Sequence, residues 1–210
     1  MNKKEIYFIR HGEALHNRMY LYFGVEAYNK FIDTSLLSSG YNQAYKLRNN
    51  WKNINKIELV LVSPLLRTLQ TCQTIFSNKI DNNKIELLDH IIEYPQGNHD
   101  KCNMRKNKDL LNILYPNYNI KNIKDELKWN NKTETLEELN KRIQKFINFI
   151  GNKKEKHIAV ISHNSFISQI KDKFIREYNE ELKHCFPYKM IFEYNKNNEF
   201  IKCYIDTNML

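Results

Sequence analysis

Four side chains able to carry positive charge follow apolar runs in this sequence: Arg10 and His11, Arg67, and His163. Ile6-Tyr7-Phe8-Ile9 precedes Arg10-His11, Leu59-Val60-Leu61-Val62 lies upstream of Arg67, and Ile158-Ala159-Val160-Ile161 lies upstream of His163. Such runs read as buried strands, and in open α/β sheets ligands sit beyond the carboxyl ends of strands. Four cationic or potentially cationic groups at one sheet edge repel one another unless an anion sits between them. A phosphoryl dianion fits. Arginine forks bind its oxygens with paired hydrogen bonds. One histidine can attack phosphorus while the other stabilises charge on the equatorial oxygens. Gly12, directly after the first pair, is expected to turn the backbone sharply and let a ligand come close.

The elements that must position these groups can be read from periodicity. Residues 14–34 show none and read as a loop with a helical turn. Tyr41, Ala44, Leu47 and Trp51 recur at helical spacing, giving a helix over 40–52. After the strand over 58–62, Ser63 suits an N-cap and Pro64 the first helical position, which places Arg67 in a first turn, where anions are favoured. A third strand covers 84–88. Leu110, Leu111 and Leu114 suggest a short helix stopped by Pro116, and 117–132 reads as irregular, with Ile120, Ile123, Leu127 and Trp129 pinned to the body. Thr135 and Glu138 form a capping box before a helix that ends at Gly151. A fourth strand covers 157–161 and runs through Ser162-His163-Asn164 into a further helix. Met190, Phe192 and Tyr194, then Ile201, Cys203 and Ile205, alternate around Asn197-Asn198 as a closing hairpin. The fold class is α/β: a three-layer sandwich whose mostly parallel sheet is covered by helices on both faces, with a C-terminal hairpin, and residues 1–210 as a single domain.

Composition narrows the partners. Lys+Arg number 33 against 24 Asp+Glu, a formal net charge of +9, which suits an anionic ligand. The lysines are scattered among asparagines and form no dense block, so no nucleic-acid partner is expected. No apolar run approaches membrane-spanning length, so no membrane partner is expected either. Cys72, Cys102, Cys185 and Cys203 are far apart and form no Cys-x-x-Cys pair. A reducing, cytoplasmic compartment is the expectation, and the first strand starts too close to Met1 for a signal peptide.

"RHGEALHN" at residues 10–17, "SPLLRTLQT" at 63–71 and "SHNSF" at 162–166 together resemble the histidine phosphatase superfamily, in its phosphoglycerate-mutase-like branch. Asp33-Thr34-Ser35-Leu36, with Gly40 and Gln43, is similar to the family's D-x-x-L-T-x-x-G-x-x-Q segment, with Leu37 in place of the Thr. The resemblance spans residues 6–170. It implies that His11 is the nucleophile that becomes phosphohistidine, that Arg10, Arg67 and His163 form the phosphate pocket, and that Asn17 makes a further phosphate contact. Asn164 replaces the usual Gly after His163. Glu93 matches the general acid of the family's E-x-x-x-G, with Glu13 as competitor for that role and a neighbour of the substrate. Cys102-Asn103-Met104-Arg105 resembles the C-D-x-R stretch of a eukaryotic phosphatase branch, with Asn103 in place of Asp. Arg105 then stands either at the leaving group or as a plain loop arginine.

The expected reaction is hydrolysis of small-molecule phosphate monoesters in two steps, without metal and without cofactor. Glu13 or a backbone carbonyl holds the His11 tautomer. The rival within the family is a cofactor-dependent phosphoglycerate mutase. Against it, residues 94–132 are short and Arg105 is their only arginine. The rival from another class is a non-catalytic domain that binds phosphorylated ligands. Such degenerate domains usually lose the nucleophile or a pocket arginine, and this chain keeps both.

Overall fold

In the computed structural model, which describes residues 2–97, 99–125, 132–175 and 181–206, the strand Asn2–Arg10 (β1) lies in the middle of the molecule. From Ile6 to Ile9 it is buried on both faces, and its alternation splits the core in two. Ile6 and Phe8 pack with one set of helices, Tyr7 and Ile9 with another.

After β1 the chain forms two short helices, α1 (Leu15–Phe23) and α2 (Glu26–Lys30), and then α3 (Ser38–Asn50), β2 (Leu59–Val62) and α4 (Leu66–Phe76). There follow β3 (Ile85–Leu88), α5 (Lys108–Leu114), β4 (Asn119–Asn122), α6 (Leu136–Gly151), β5 (His157–Ser162) and α7 (Asn164–Phe174). The hairpin β6 (Pro187–Tyr194) and β7 (Phe200–Ile205) closes the described part. The sheet order is β4-β3-β2-β5-β1-β6-β7. The first five of these strands pair in parallel, and only β6 and β7 run antiparallel to their neighbours.

Helices α6 and α7 cover one face through Leu139, Ile143, Phe146, Ile147, Phe166 and Ile170. Helices α3, α4 and α5 cover the other through Ala44, Leu47, Leu69, Cys72, Ile75 and Leu111. This is the expected three-layer α/β architecture. In α6 the capping box forms as expected, with Glu138 N–H donating to Thr135 Oγ1 at 3.3 Å and Thr135 N–H to Glu138 Oε2 at 2.8 Å. Each large apolar side chain that α6 buries contributes about 1.5–3 kcal/mol relative to exposure, so its face, more than its propensity, holds the helix in place.

Three local expectations are corrected. Residues 14–34 carry α1 and α2 rather than a loop with one turn. The segment 117–132 contains β4, an edge strand paired with β3; its Asn-Ile-Lys-Asn sequence has little strand propensity, so the pairing comes from its neighbour. Ile123 is buried there as expected, whereas Leu127 and Trp129 lie outside the described residues. Ser63 is not an N-cap: α4 starts at Leu66, and Asp33 Oδ1 accepts the Leu66 N–H at 2.7 Å in its stead. The four cysteines are buried and unbridged. Among the described residues, no helix is long and apolar enough to cross a membrane.

Candidate active site

The three adjacent central strands β2, β5 and β1 end at one level, where His11 N–H donates to Ser162 O at 3.1 Å and Ser63 N–H to Ile161 O at 3.0 Å. Their carboxyl ends therefore bring Arg10-His11, Ser63 and His163 side by side, and α4 adds Arg67 from its first turn.

His11 and His163 are buried, with ring centroids 5.1 Å apart. His11 Nδ1 lies 2.8 Å from Gly12 O, so this nitrogen carries the proton and donates it to the carbonyl. Its Nε2 is left with a lone pair, which accepts from Arg67 Nε at 3.2 Å. The same Arg67 Nε–H reaches His163 Nδ1 at 3.3 Å, and His163 Nε2 donates to Ser63 Oγ at 2.7 Å. Both imidazoles are held well below the ordinary histidine range, first by burial and then by the Arg67 charge. They are neutral at pH 7, and two lone pairs converge on one guanidinium. The rest of the Arg67 fork is fixed: Nη1 donates to Cys102 O at 2.8 Å and Nη2 to Asn103 Oδ1 at 2.9 Å. Arg10 Nη1 donates to Leu182 O at 2.8 Å, while its buried Nε–H has no partner among the described residues. An unpaired buried guanidinium N–H costs stability unless an acceptor meets it, and an anion at this edge supplies one.

Glu93 stands beyond β3, against the N-terminus of α7. Its Oε1 accepts the Tyr94 and Phe166 N–H groups at 2.9 and 3.1 Å, and its Oε2 accepts the Ser165 N–H at 3.2 Å. Burial raises its pKa above the usual carboxylate range, opposed by the Tyr94 N–H, the Arg67 charge and the helix N–H groups. Arg142 fixes the stretch before it, donating to Ile92 O at 2.6 Å and His90 O at 3.0 Å while gripping Glu134. The sequence gives no sign of that clamp, because Arg142 sits on α6, far along the chain.

The segment from Asp33 to Gln43 holds the loop after β1. Leu36 N–H donates to Gln70 Oε1, Glu13 N–H donates to Gln43 Oε1, and Gly12 N–H donates to Thr71 Oγ1. Gly12 is needed for a reason other than the expected one. Its φ is not left-handed; instead a Cβ there would stand 2.5 Å from Gly40 O. Gly40 in turn backs onto the Glu13 carbonyl, so the two glycines let α3 press against the loop that carries His11.

The remaining expected residues are placed differently. Asn17 Oδ1 accepts the Ala14 N–H at 3.0 Å and Nδ2 donates to His16 Nε2 at 3.2 Å, so most of this side chain serves the start of α1. Glu13 spends Oε1 on Arg18 and Oε2 on Ser39, and the Ser39 bond, more than any other contact, lowers its pKa. The His11 tautomer is thus held by the Gly12 carbonyl, not by Glu13. Arg105 is turned to Asp89. It is buried in a two-bond pair with Asp89, Nε to Oδ1 at 2.7 Å and Nη2 to Oδ2 at 3.1 Å, and its other N–H groups go to Lys106 O and Lys124 O. A guanidinium so fully bonded pins the loops rather than a ligand. Cys102 and Asn103 are the residues of that stretch that reach the site, through Arg67.

Two further histidines complete the surroundings of His11. The His16 ring is 5.9 Å from it, with Nδ1 donating to Thr34 Oγ1 at 2.6 Å. The His184 ring is 5.6 Å from it, with Nδ1 donating to the His11 carbonyl. Burial lowers both pKa values, and Arg67 for His16 and Arg10 for His184 lower them further. His16 lay within a recognisable motif, but nothing near His184 in the sequence marks it.

Solved structures share this fold at low identity. The ecdysone phosphate phosphatase of Bombix mori, in complex with tungstate, aligns with TM-score 0.61 and 14% identity over 95% of this chain and 92% of its own. Phosphoglycerate mutase from Bacillus anthracis aligns with TM-score 0.63 and 14% identity over 96% and 92%. By sequence, the chain is similar to a "Phosphoglycerate mutase-like protein" of Arabidopsis thaliana, 27% identical over 86% of this chain and 78% of that protein. Phosphoglycerate mutase-like protein 1 of the same plant is 28% identical over 78% and 69%. The family description "Histidine phosphatase superfamily (branch 1)" matches residues 6–189, which include the carboxyl ends of β1, β2 and β5, and the chain belongs to that superfamily.

Proposed function

We propose that this protein hydrolyses phosphate monoesters through a phosphohistidine on His11. The observation that carries this reading is the pairing of a buried neutral His11, its Nε2 lone pair exposed to attack chemistry by the Nδ1–H bond to Gly12 O, with the guanidinium of Arg67. In the first step a phosphoryl oxygen takes over the Arg67 Nε–H, which frees the Nε2 lone pair; Nε2 attacks phosphorus in line and the bond to the ester oxygen breaks. Glu93, whose pKa burial raises, gives a proton to the departing oxygen. Phosphorylation leaves the His11 ring positive, and the Gly12 carbonyl accepts its Nδ1–H. Arg10 and Arg67 meet the equatorial oxygens; His163 joins them as a donor once the arriving dianion favours its protonation. In the second step water attacks phosphorus, the carboxylate of Glu93 takes the water proton, and the bond from phosphorus to Nε2 breaks. The opposite shifts of Glu93 and Glu13, up and down, support Glu93 as the acid. The substrates on this reading are small-molecule phosphate esters.

A mutase is the second reading, favoured by the names of the plant relatives. A mutase must grip a second acidic group while the intermediate turns round. Arg105, the lone arginine of 94–132, is committed to Asp89 and does not serve that purpose. The test is a phosphoglycerate substrate, with inorganic phosphate and the isomer measured together. Release of phosphate faster than isomer formation supports hydrolysis; rapid isomerisation stimulated by a bisphosphate cofactor overturns it.

A further inference from the structure

We infer that the cleft between α2 and the turn at His99-Asp100 receives the alcohol part of the ester, and that this part is flat and uncharged. This rests on the phosphatase reading above. The cleft has a volume of about 790 Å³ and is bordered by Val25, Glu26, Tyr28, Lys30, His99 and Asp100. That is ample room for a bicyclic group and far more than a three-carbon acid fills.

A path of rings joins this cleft to the nucleophile. The His16 ring lies 5.9 Å from His11, and the Tyr28 ring lies 6.1 Å from His16. Tyr28 is itself stacked on Tyr20, centroids 5.4 Å apart and planes 21° apart, so its ring is a backed, preformed wall. The acid sets the direction of exit, because the leaving oxygen must lie beside Glu93. Burial raises the Tyr28 pKa, and the Glu93 and Asp100 charges raise it further. The turn Lys101–Asn103 that fixes Arg67 also packs against α2, so the wall and the phosphate clamp are one assembly. Arg10 Nη1 is held by Leu182 O and faces Glu181.

The lining excludes an acidic alcohol. Glu26 and Asp100 stand against Lys30, and the Lys30 ammonium sits over the Phe23 ring at 4.4 Å. Among the described residues no arginine lines the cleft, whereas the apolar Val25 stands 71% exposed at its mouth. The wall offers stacking and apolar contact, not a second anion site.

The test compares primary alkyl phosphates, so that leaving-group chemistry stays nearly constant: ethyl phosphate, 2-(2-naphthyl)ethyl phosphate and 3-phosphoglycerate. The naphthyl ester is expected to exceed ethyl phosphate in kcat/KM by roughly tenfold or more. Tyr28→Ala should collapse that ratio, while Tyr28→Phe, which keeps the ring, should preserve it. Val25→Asp, at an exposed position that the fold does not need, should also reduce the ratio and decides the matter if Tyr28→Ala fails to fold. Turnover with 3-phosphoglycerate preferred, or a ratio that neither Tyr28→Ala nor Val25→Asp changes, overturns the cleft assignment and leaves the phosphatase reading standing. Hydrolysis of none of the three overturns the phosphatase reading and the cleft assignment with it.

Discussion

Replacing Glu93 by Gln separates its structural work from its chemistry. Oε1 holds two N–H groups, from Tyr94 and Phe166, and Oε2 holds one, from Ser165 at 3.2 Å. The glutamine carbonyl keeps the first pair, so its NH2 group turns to face the Ser165 N–H. One hydrogen bond is lost and two donors oppose each other, which costs about 1–3 kcal/mol of stability. A urea titration reads that loss directly. The catalytic loss is separate and depends on the leaving group. A positioned general acid contributes about 10²–10⁴-fold, but only where the departing oxygen needs a proton. Ethyl phosphate leaves as an alkoxide and should lose that whole factor; nitrophenyl phosphate, whose phenolate leaves nearly unaided, should lose far less. Deacylation-like hydrolysis of the second step also uses Glu93 as base, so phosphohistidine should accumulate with the nitrophenyl ester. Steady-state kcat/KM on both esters, with an acid-labile phosphate assay, gives the answer. An equal loss on the two esters, or the selective pattern appearing at Glu13→Gln instead, refutes the assignment.

Other outcomes follow from particular contacts. Asp33→Ala removes the acceptor for Leu66 N–H, so about 0.5–2 kcal/mol of stability should disappear, and kcat/KM should fall because the same turn carries Arg67; unchanged values of both would contradict this role. His11, His16 and His163 are each held below the ordinary histidine range by burial, so below about pH 6.5 the unfolded chain takes up protons that the folded chain refuses. Stability present above that pH should fall in acid by about 1.4 kcal/mol per unit for each histidine. The raised Glu93, Asp33 and Asp100 oppose this, since such contributions are present at low pH and lost as pH rises through the folded values, while the lowered His90 and His184 add to the three. Urea titrations should therefore show lower stability at pH 5.5 than at pH 7.5, and the reverse order would contradict the buried neutral histidines. Activity should survive excess EDTA, because Arg10 and Arg67 supply the positive charge; loss on chelation, restored by magnesium or zinc, would contradict the mechanism.

The basic edge could be read from the sequence because of an incongruity: strongly apolar strands that end in Arg-His, or that run into Arg67 or His163. Burial on both faces forces such runs into the sheet interior, and the parallel arrangement forces their ends together. Side chains whose roles depend on contacts across the fold could not be read so. Ser63 looked like a cap, yet Asp33 caps α4 and leaves the Ser63 hydroxyl for His163. Arg105 sat in a suggestive stretch, but Asp89 claims it, while Asn103 beside it holds Arg67. His184 reaches His11 from the chain preceding β6, across 173 residues. β4 was hidden because Asn-Ile-Lys-Asn is a poor strand by itself and gains its conformation from β3. Choosing between Glu13 and the Gly12 carbonyl for the His11 tautomer needed distances, since both residues adjoin the ring in sequence.

The central claim is tested most directly by trapping the phosphoryl group. The protein is mixed rapidly with nitrophenyl phosphate, quenched in alkali, digested and examined by mass spectrometry for the site of the added phosphate. The account predicts one acid-labile, base-stable phosphohistidine, on His11, absent from His11→Ala, which folds but does not turn over. Phosphate found on another residue, or full turnover by His11→Ala, would contradict it.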